Sequence, residues 1–255
     1  MSSVYENETH IMRAYLSSLS ILFFLLVPVW VISAEENTME KKDALNQRQQ
    51  SIIPIAAFTA DGDMDRLKPA LNQGLDAGLS VHEIKEVLVQ LYAYTGFPRS
   101  LNALSAFMEV VDQRKAQGIE DVVGKEAGPV PPDFDRDAYG AKVRAKLAGR
   151  ETDISGTKWQ LFSPTMDTFL KEHLFADIFV RDVINHQDRE LATIAALTNM
   201  TGTEGQLGFH LGAAMNTGLT EAQMNDFISV LRTTVGQTQA DSAQKILTEV
   251  MKSKK

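Results

Sequence analysis

The sequence predicts an all-α fold built from a tandem duplicated helical repeat, and three observations support that prediction. Residues 78–103 have a diverged copy at residues 218–243, at a constant offset of 140. Apolar residues in both copies recur at the spacing of an amphipathic helix. No stretch alternates polar and apolar residues convincingly over the length of a strand. Because an internal repeat decides the architecture, each helix can be read in two copies.

The segment before the repeats is typical of a secretory signal. An apolar run over residues 14–32 follows Arg13 and ends in two small residues, before acidic residues begin. This layout predicts a signal peptide over residues 1–34, with Met12 as an alternative start, and hence a periplasmic or secreted protein. The run is also about long enough to span a thin bilayer. The alternative is therefore a protein anchored in the membrane by residues 14–32.

The rest of the chain divides into four predicted segments. A polar linker over residues 35–45 leads into repeat 1, over residues 46–118. A connector and helical spacer follow over residues 119–184, irregular at first because glycine and proline are frequent there. Repeat 2 takes up residues 185–255.

Both repeats carry the same signal for the start of their third helix. Ser80 with Glu83, and Thr220 with Gln223, form the capping-box pattern in which two backbone N–H groups are satisfied reciprocally. A glycine stands two residues before each cap, where a preceding helix would end in a left-handed residue. The apolar residues that follow at helical spacing are Ile84, Val87, Leu88 and Leu91 in repeat 1 and Met224, Phe227, Ile228 and Leu231 in repeat 2.

Composition excludes several classes of function. The net charge of −8, without a basic cluster, argues against nucleic acid as the main partner. The chain has no cysteine, so disulfides, thiolate metal sites and thiol peroxidase chemistry are excluded. His173 and His186 have no partner at metal-ligand spacing. We therefore predict no metal and no other cofactor, and contact with a membrane only through an uncleaved N-terminal segment.

The two copies differ in the residues that can do chemistry. Repeat 1 has Tyr94-x-Gly96-x-Pro98 followed by Arg99, and repeat 2 has no counterpart to that turn. Repeat 2 has His210 where repeat 1 has Ala70. Each repeat thus holds half of a pattern, which predicts one asymmetric composite site, formed within one chain or between chains of an oligomer.

These motifs together resemble the carboxymuconolactone decarboxylase family of the alkylhydroperoxidase D-like superfamily. The resemblance rests on Gly78-Leu79-Ser80 with Glu83 and Glu86, Tyr94-x-Gly96-x-Pro98, the run from Arg189 to Ile194, and Gln206-Leu207-x-x-His210 before Gly218-Leu219-Thr220. It implies a helical fold that oligomerises through its repeats, and cofactor-free decarboxylation of a carboxylated lactone. The peroxidase branch uses a Cys-x-x-Cys pair beside a Glu and a His, and that activity is not carried over to a chain without cysteine.

Four residues are the candidate site. His210 can move protons near neutral pH, with Glu86 or Tyr94 as a second acid or base, and Arg99 can bind a substrate carboxylate through two hydrogen bonds. Each has a structural alternative: a packed histidine, a solvated charge, a core tyrosine and a surface ion pair.

The leading hypothesis is a homo-oligomeric lyase that decarboxylates or isomerises a small carboxylated lactone or related compound. The alternative is a non-catalytic exported binding or assembly protein on the same scaffold, because a fold does not fix a function.

Overall fold

A computed structural model of the chain describes residues 44–254. The predicted signal peptide and nearly all of the predicted linker lie outside the described residues. Within residues 44–254 all regular structure is helical and no strand occurs, which confirms the all-α prediction. None of the helices described there is both long and apolar enough to cross a membrane.

Each repeat is built from three successive helical parts, the third of which is divided in repeat 2 into an α-helix, a π-helical turn and a second α-helix, and the connector supplies a further group. Repeat 1 contains α1 (Gln47–Asp61), α2 (Met64–Asp76) and the long α3 (Val81–Ala116). The connector contains α4 (Arg136–Leu147), the short α5 (Lys158–Phe162) and α6 (Pro164–Thr168), and a π-helical segment, Phe169–Ile178. Repeat 2 contains α7 (His186–Thr198), α8 (Glu204–Asn216), α9 (Glu221–Val230), a π-helical turn at Leu231–Val235, and α10 (Gln237–Ser253).

The predicted capping boxes are present in both repeats. The Ser80 hydroxyl accepts the Glu83 N–H at 3.3 Å, and the Glu83 carboxylate accepts the Ser80 N–H at 2.8 Å. Thr220 and Gln223 make the same two bonds at 3.2 and 3.0 Å. All eight apolar residues predicted to follow the two caps are buried. These caps and stripes are what fix the third helix of each repeat.

The third helix of each repeat changes direction at a glycine. Gly96 interrupts α3 with φ 79° and ψ 160°, a backbone conformation that side chains with a Cβ rarely adopt. At the equivalent place Gly236, in extended backbone, separates the π-helical turn from α10. The duplication is therefore visible in the backbone as well as in the sequence.

The repeats pack through their first helices. α1 lies against α7, and Gln49 on α1 donates to Asp188 on α7 at 3.3 Å. These two residues are 139 apart, so equivalent positions of the repeats meet each other. One apolar core runs through both repeats, and a second, smaller cluster joins α4 and the π-helical segment to α8. The connector is thereby held over repeat 2, where the candidate site lies.

Candidate active site

A pocket of about 500 Å³ lies between the connector and repeat 2. It is lined mainly by apolar side chains from three parts of the chain. The connector contributes Trp159, Leu170, Leu174 and Phe175, repeat 2 contributes Leu197, Met200 and Phe209, and α3 of repeat 1 contributes Ala93 and Tyr94. His210 is also part of the lining.

His210 reaches the pocket because it shares the buried face of α8 with apolar neighbours. Leu207, Leu211 and Ala214 lie on that face and pack in the core against α7. The His210 side chain is almost fully buried, and its Nδ1 lies 2.8 Å from Oε2 of Glu190 on α7, which has no exposed surface. The contact between the two helices thus creates a buried histidine–carboxylate pair at the pocket wall.

This pair fixes what the histidine can do. A carboxylate on Nδ1 holds the proton there and orients the ring, which leaves Nε2 with a lone pair. Nε2 makes no hydrogen bond with any of the described residues, so it is the atom available to a substrate. The same carboxylate stabilises the imidazolium after Nε2 takes up a proton. The pair can therefore accept a proton from a bound molecule and return it.

The Glu190 carboxylate is only partly hydrogen-bonded. Its second oxygen, Oε1, is buried and has no hydrogen-bond partner among the residues described. A buried acceptor left in that state costs about 1–3 kcal/mol. A buried group left unpaired calls for an explanation, and a role at a functional site is one of them.

Tyr94 meets His210 across the two repeats. Its ring stands edge-on to the His210 ring with centroids 5.6 Å apart, and Phe209 packs on the same histidine at 5.1 Å. Burial, and next the charge of Glu190, raise the pKa of the Tyr94 hydroxyl, so it stays protonated. That hydroxyl is buried without a partner of normal geometry in the described part of the chain.

Glu86 is placed outside the pocket lining. It is 2% exposed, and its carboxylate accepts from Arg189 Nη2 at 2.7 Å and from Arg181 Nε at 3.0 Å. Arg189 is fully buried and also donates to Gln90 at 2.8 Å. Glu86 is thus the counter-ion of two guanidinium groups and ties α3 to α7. Its predicted role as an acid or base has no support from this geometry.

Arg99 is not brought to the pocket within one chain. It is exposed on α3 beyond Gly96, and it is absent from the pocket lining. The arginine that does line the pocket is Arg144 on α4. Of the four predicted site residues, the structure therefore brings together His210 and Tyr94 only.

Arg144 is already neutralised by two carboxylates. It donates to Asp153 through Nε at 2.7 Å and Nη2 at 2.6 Å, and to Asp167 through Nη1 at 2.5 Å. Nη2 also donates to the Ile154 carbonyl oxygen at 3.1 Å. Hydrogen bonding to Asp153 raises the pKa of Arg144 further. This guanidinium therefore holds the connector in place and is not free to bind an anion.

Sequence reasoning missed Glu190, although a signal was present. Glu190 and His210 correspond to Ser51 and Ala70 of repeat 1, so both members of the pair are missing from the other copy. Two chemically active residues that occur together in one copy point to a shared task. Across residues 44–254 no group of three His, Cys, Asp or Glu side chains is placed to share a metal ion.

Comparison with known proteins adds one match. The model of the family described as "Carboxymuconolactone decarboxylase family" matches residues 30–109 and 164–249, which together make up more than half of the chain. The first range covers most of repeat 1 and begins earlier, at residue 30, so that it also takes in the predicted linker and the end of the predicted signal peptide; the second covers most of repeat 2 and the end of the connector. This confirms both the resemblance and the tandem duplication. A search of curated proteins finds no match to the chain.

Proposed function

The chain belongs to the carboxymuconolactone decarboxylase family, and we propose that it is an enzyme for cofactor-free acid–base chemistry on a small lactone or related carbonyl compound. The observation that carries this proposal is the buried Glu190–His210 pair in the wall of a pocket large enough for such a molecule. Pockets of about 300–1,000 Å³ with few polar groups are typical of small-molecule sites.

His210 is the acid and base of the proposed reaction. In an isomerisation, Nε2 removes a proton from the carbon beside the carbonyl and returns it to another carbon of the conjugated system. In a decarboxylation, the ring carbonyl absorbs the charge left by carbon dioxide, and protonated His210 supplies the proton. Help of this kind contributes about 10²–10⁴-fold to a rate. Both reactions are lyase or isomerase chemistry without a cofactor.

The test is a turnover assay on the mature protein. Carboxylated lactones are followed by release of carbon dioxide, and unsaturated lactones by movement of the double bond in NMR spectra. His210→Ala should lower either rate about 10²-fold or more. His173→Ala is the matched control, because His173 also pairs with a carboxylate (Asp177, 2.9 Å) but is half-exposed and outside the pocket lining. Equal rates in wild type and His210→Ala would remove the proposal.

The second candidate is a binding protein without catalysis. The apolar lining and the neutralised Arg144 favour it, since neither promotes a reaction. It predicts ligand binding that survives in His210→Ala and no turnover in wild type. The turnover assay therefore distinguishes the two candidate functions.

Self-association and export are also part of the proposal. Phe97, Leu101 and Met108 lie on one face of α3 and are 57–62% exposed, an apolar stripe that a second copy of the chain would cover. Light scattering on the purified protein should give a mass above that of one chain.

Sequencing the mature N-terminus should show cleavage after residue 34. An uncleaved terminus would instead favour the membrane-anchored alternative.

A further inference from the structure

We infer that the pocket takes an electrically neutral ring compound with a carbonyl or hydroxyl group, and that it disfavours a carboxylate. This inference rests on the proposed function, because it takes the pocket to be the substrate site. It concerns which member of the lactone class enters, and it follows from the charges around the pocket and from the character of its walls.

The pocket wall offers no free cation in the described residues. Arg144 uses four of its five N–H groups to donate to Asp153, Asp167 and the Ile154 carbonyl oxygen. Two carboxylates around one guanidinium leave that cluster with a net negative charge. Glu190 adds a second negative charge behind His210. A substrate carboxylate would therefore lose its water without gaining a free cation of the pocket wall as its partner, which is unfavourable.

The walls suit a flat, uncharged ring. The lining includes the aromatic side chains of Trp159, Phe175 and Phe209 beside several aliphatic ones, and its other polar groups, Gln160, Thr203 and Gln206, are uncharged. Aromatic rings stack in offset or edge-to-face geometry and gain from the burial of their area. His210 Nε2 is then the group that meets the polar atom of the ring compound.

A neutral substrate limits the reactions that are possible in the pocket. Without a carboxylate there is no carbon dioxide to lose, so the step left to His210 is a proton shift. One C–H bond breaks as an Nε2–H bond forms, and the proton then returns to a different carbon. Atoms and electrons balance without an oxidant, a reductant or another reactant.

The test compares two probes that share one ring system and differ by a single carboxylate group. Coumarin is a neutral aromatic lactone, and coumarin-3-carboxylate is the same ring with a carboxylate. Binding is measured by titration calorimetry on the full mature chain near neutral pH. We expect coumarin to bind about tenfold more tightly or better, because the anion must be desolvated beside like charge.

Variants test whether the probe binds in this pocket and whether the charge around Arg144 causes the preference for the neutral probe. Trp159→Ala should weaken coumarin binding, whereas Phe162→Ala, 91% exposed and absent from the lining, should not. Asp167→Asn removes one of the two negative charges that neutralise Arg144, so the difference in affinity between the neutral and the charged probe should become smaller. Asp241→Asn is its control, because Asp241 pairs with Arg232 on the surface away from the pocket.

The outcomes separate this inference from the proposed function. Tighter binding of coumarin-3-carboxylate than of coumarin overturns the inference, whether or not Arg99→Ala abolishes that binding. It does not contradict turnover by His210. Failure of both probes to bind overturns it as well, and the turnover assay with His210→Ala then decides the proposed function by itself. If Asp167→Asn does not fold, the ratio of the two binding constants in the wild type is sufficient to support or overturn the inference.

Discussion

His210 reaches the pocket with Nδ1 already committed to Glu190, so the chemistry assigned to the site depends on a single carboxylate. Glu190→Gln keeps a hydrogen-bonding group of the same size but removes the charge that orients the ring and stabilises the imidazolium. We expect kcat to fall, by as much as about 10⁴-fold, with KM little changed, as when the carboxylate that orients a general-base histidine is neutralised. Steady-state kinetics measure both constants.

The control is Glu204→Gln, an exposed residue at the start of α8 that is absent from the pocket lining. It should retain wild-type kinetics. If Glu190→Gln were as active as wild type, the histidine would not need its partner and the proposed role of the pair would fail.

Glu86 has a different task at the residue scale. Removing its charge in Glu86→Gln leaves the fully buried Arg189 without its counter-ion. Removing the charge of one partner of a buried ion pair lowers the free energy of unfolding by about 3–5 kcal/mol. Urea unfolding, or the melting temperature, should register that loss.

An exposed ion pair provides the comparison. Lys68 and Glu109 approach to 2.7 Å, and both side chains are about half-exposed. Glu109→Gln should cost no more than about 1 kcal/mol, because water and salt screen such pairs. If both variants lost the same free energy of unfolding, burial would not be what makes Glu86 important.

The sequence was informative about single residues only up to a point. It singled out His210 and Tyr94, and the structure brings these rings together. It did not single out Glu190, because the pairing depends on how α7 packs on α8 and local spacing does not encode that contact. The predicted role of Arg99 as a carboxylate-binding residue stays a prediction, since nothing in one chain brings it near the pocket.

At the scale of elements, the capping boxes make a direct prediction. Ser80→Ala and Thr220→Ala each remove the hydroxyl that accepts the third backbone N–H of their helix. Each should lower the free energy of unfolding by about 1 kcal/mol. Chemical denaturation of the two single variants checks this.

Ser229→Ala is the matched control, because Ser229 is exposed in the last turn of α9 and does not cap the start of a helix. It should change stability by no more than about 0.5 kcal/mol. Cap variants that behaved like this control would show that the caps do not set where these helices begin.

The elements differ in how far sequence could predict them. The capping boxes and apolar stripes occur in both repeats of the sequence, and they predicted the positions of the third helices correctly. A proline inside a helix favours a kink or a break, yet α1 continues through Pro54 from Gln47 to Asp61. Packing of both faces of α1 in the core outweighs the one hydrogen bond that proline removes. Helical periodicity in the connector gave no sign of its π-helical segment, since apolar spacing does not resolve hydrogen-bond register.

At the scale of the whole molecule, the two repeats form a shared scaffold, but the scaffold is not symmetric. Equivalent helices meet at the centre through Gln49 and Asp188, while the pocket forms on one side only, where the connector covers repeat 2. The composite character predicted from the sequence is partly visible, because Tyr94 of repeat 1 stands against His210 of repeat 2. The contribution of the connector could not be predicted, since it has no second copy to compare.

Stability of the whole molecule should depend on pH through His186. Burial, with smaller effects from Lys146 and Arg189, lowers the pKa of His186 below its usual 6.5. As the pH falls below that value, the unfolded chain binds a proton at His186 before the folded chain does, so stability is lost. The urea midpoint should therefore drop less between about pH 7.5 and pH 5.5 in His186→Gln than in wild type. Parallel curves for the two proteins would contradict this.

The central claim is that His210 moves protons on a neutral carbonyl compound held in the pocket. Its most direct test is hydrogen–deuterium exchange at the carbon beside the carbonyl of α-angelica lactone, followed by NMR in deuterated water. Wild type should accelerate this exchange well above the buffer rate, and His210→Ala should return it close to the buffer rate. Exchange at equal rates in wild type, His210→Ala and buffer would contradict the claim.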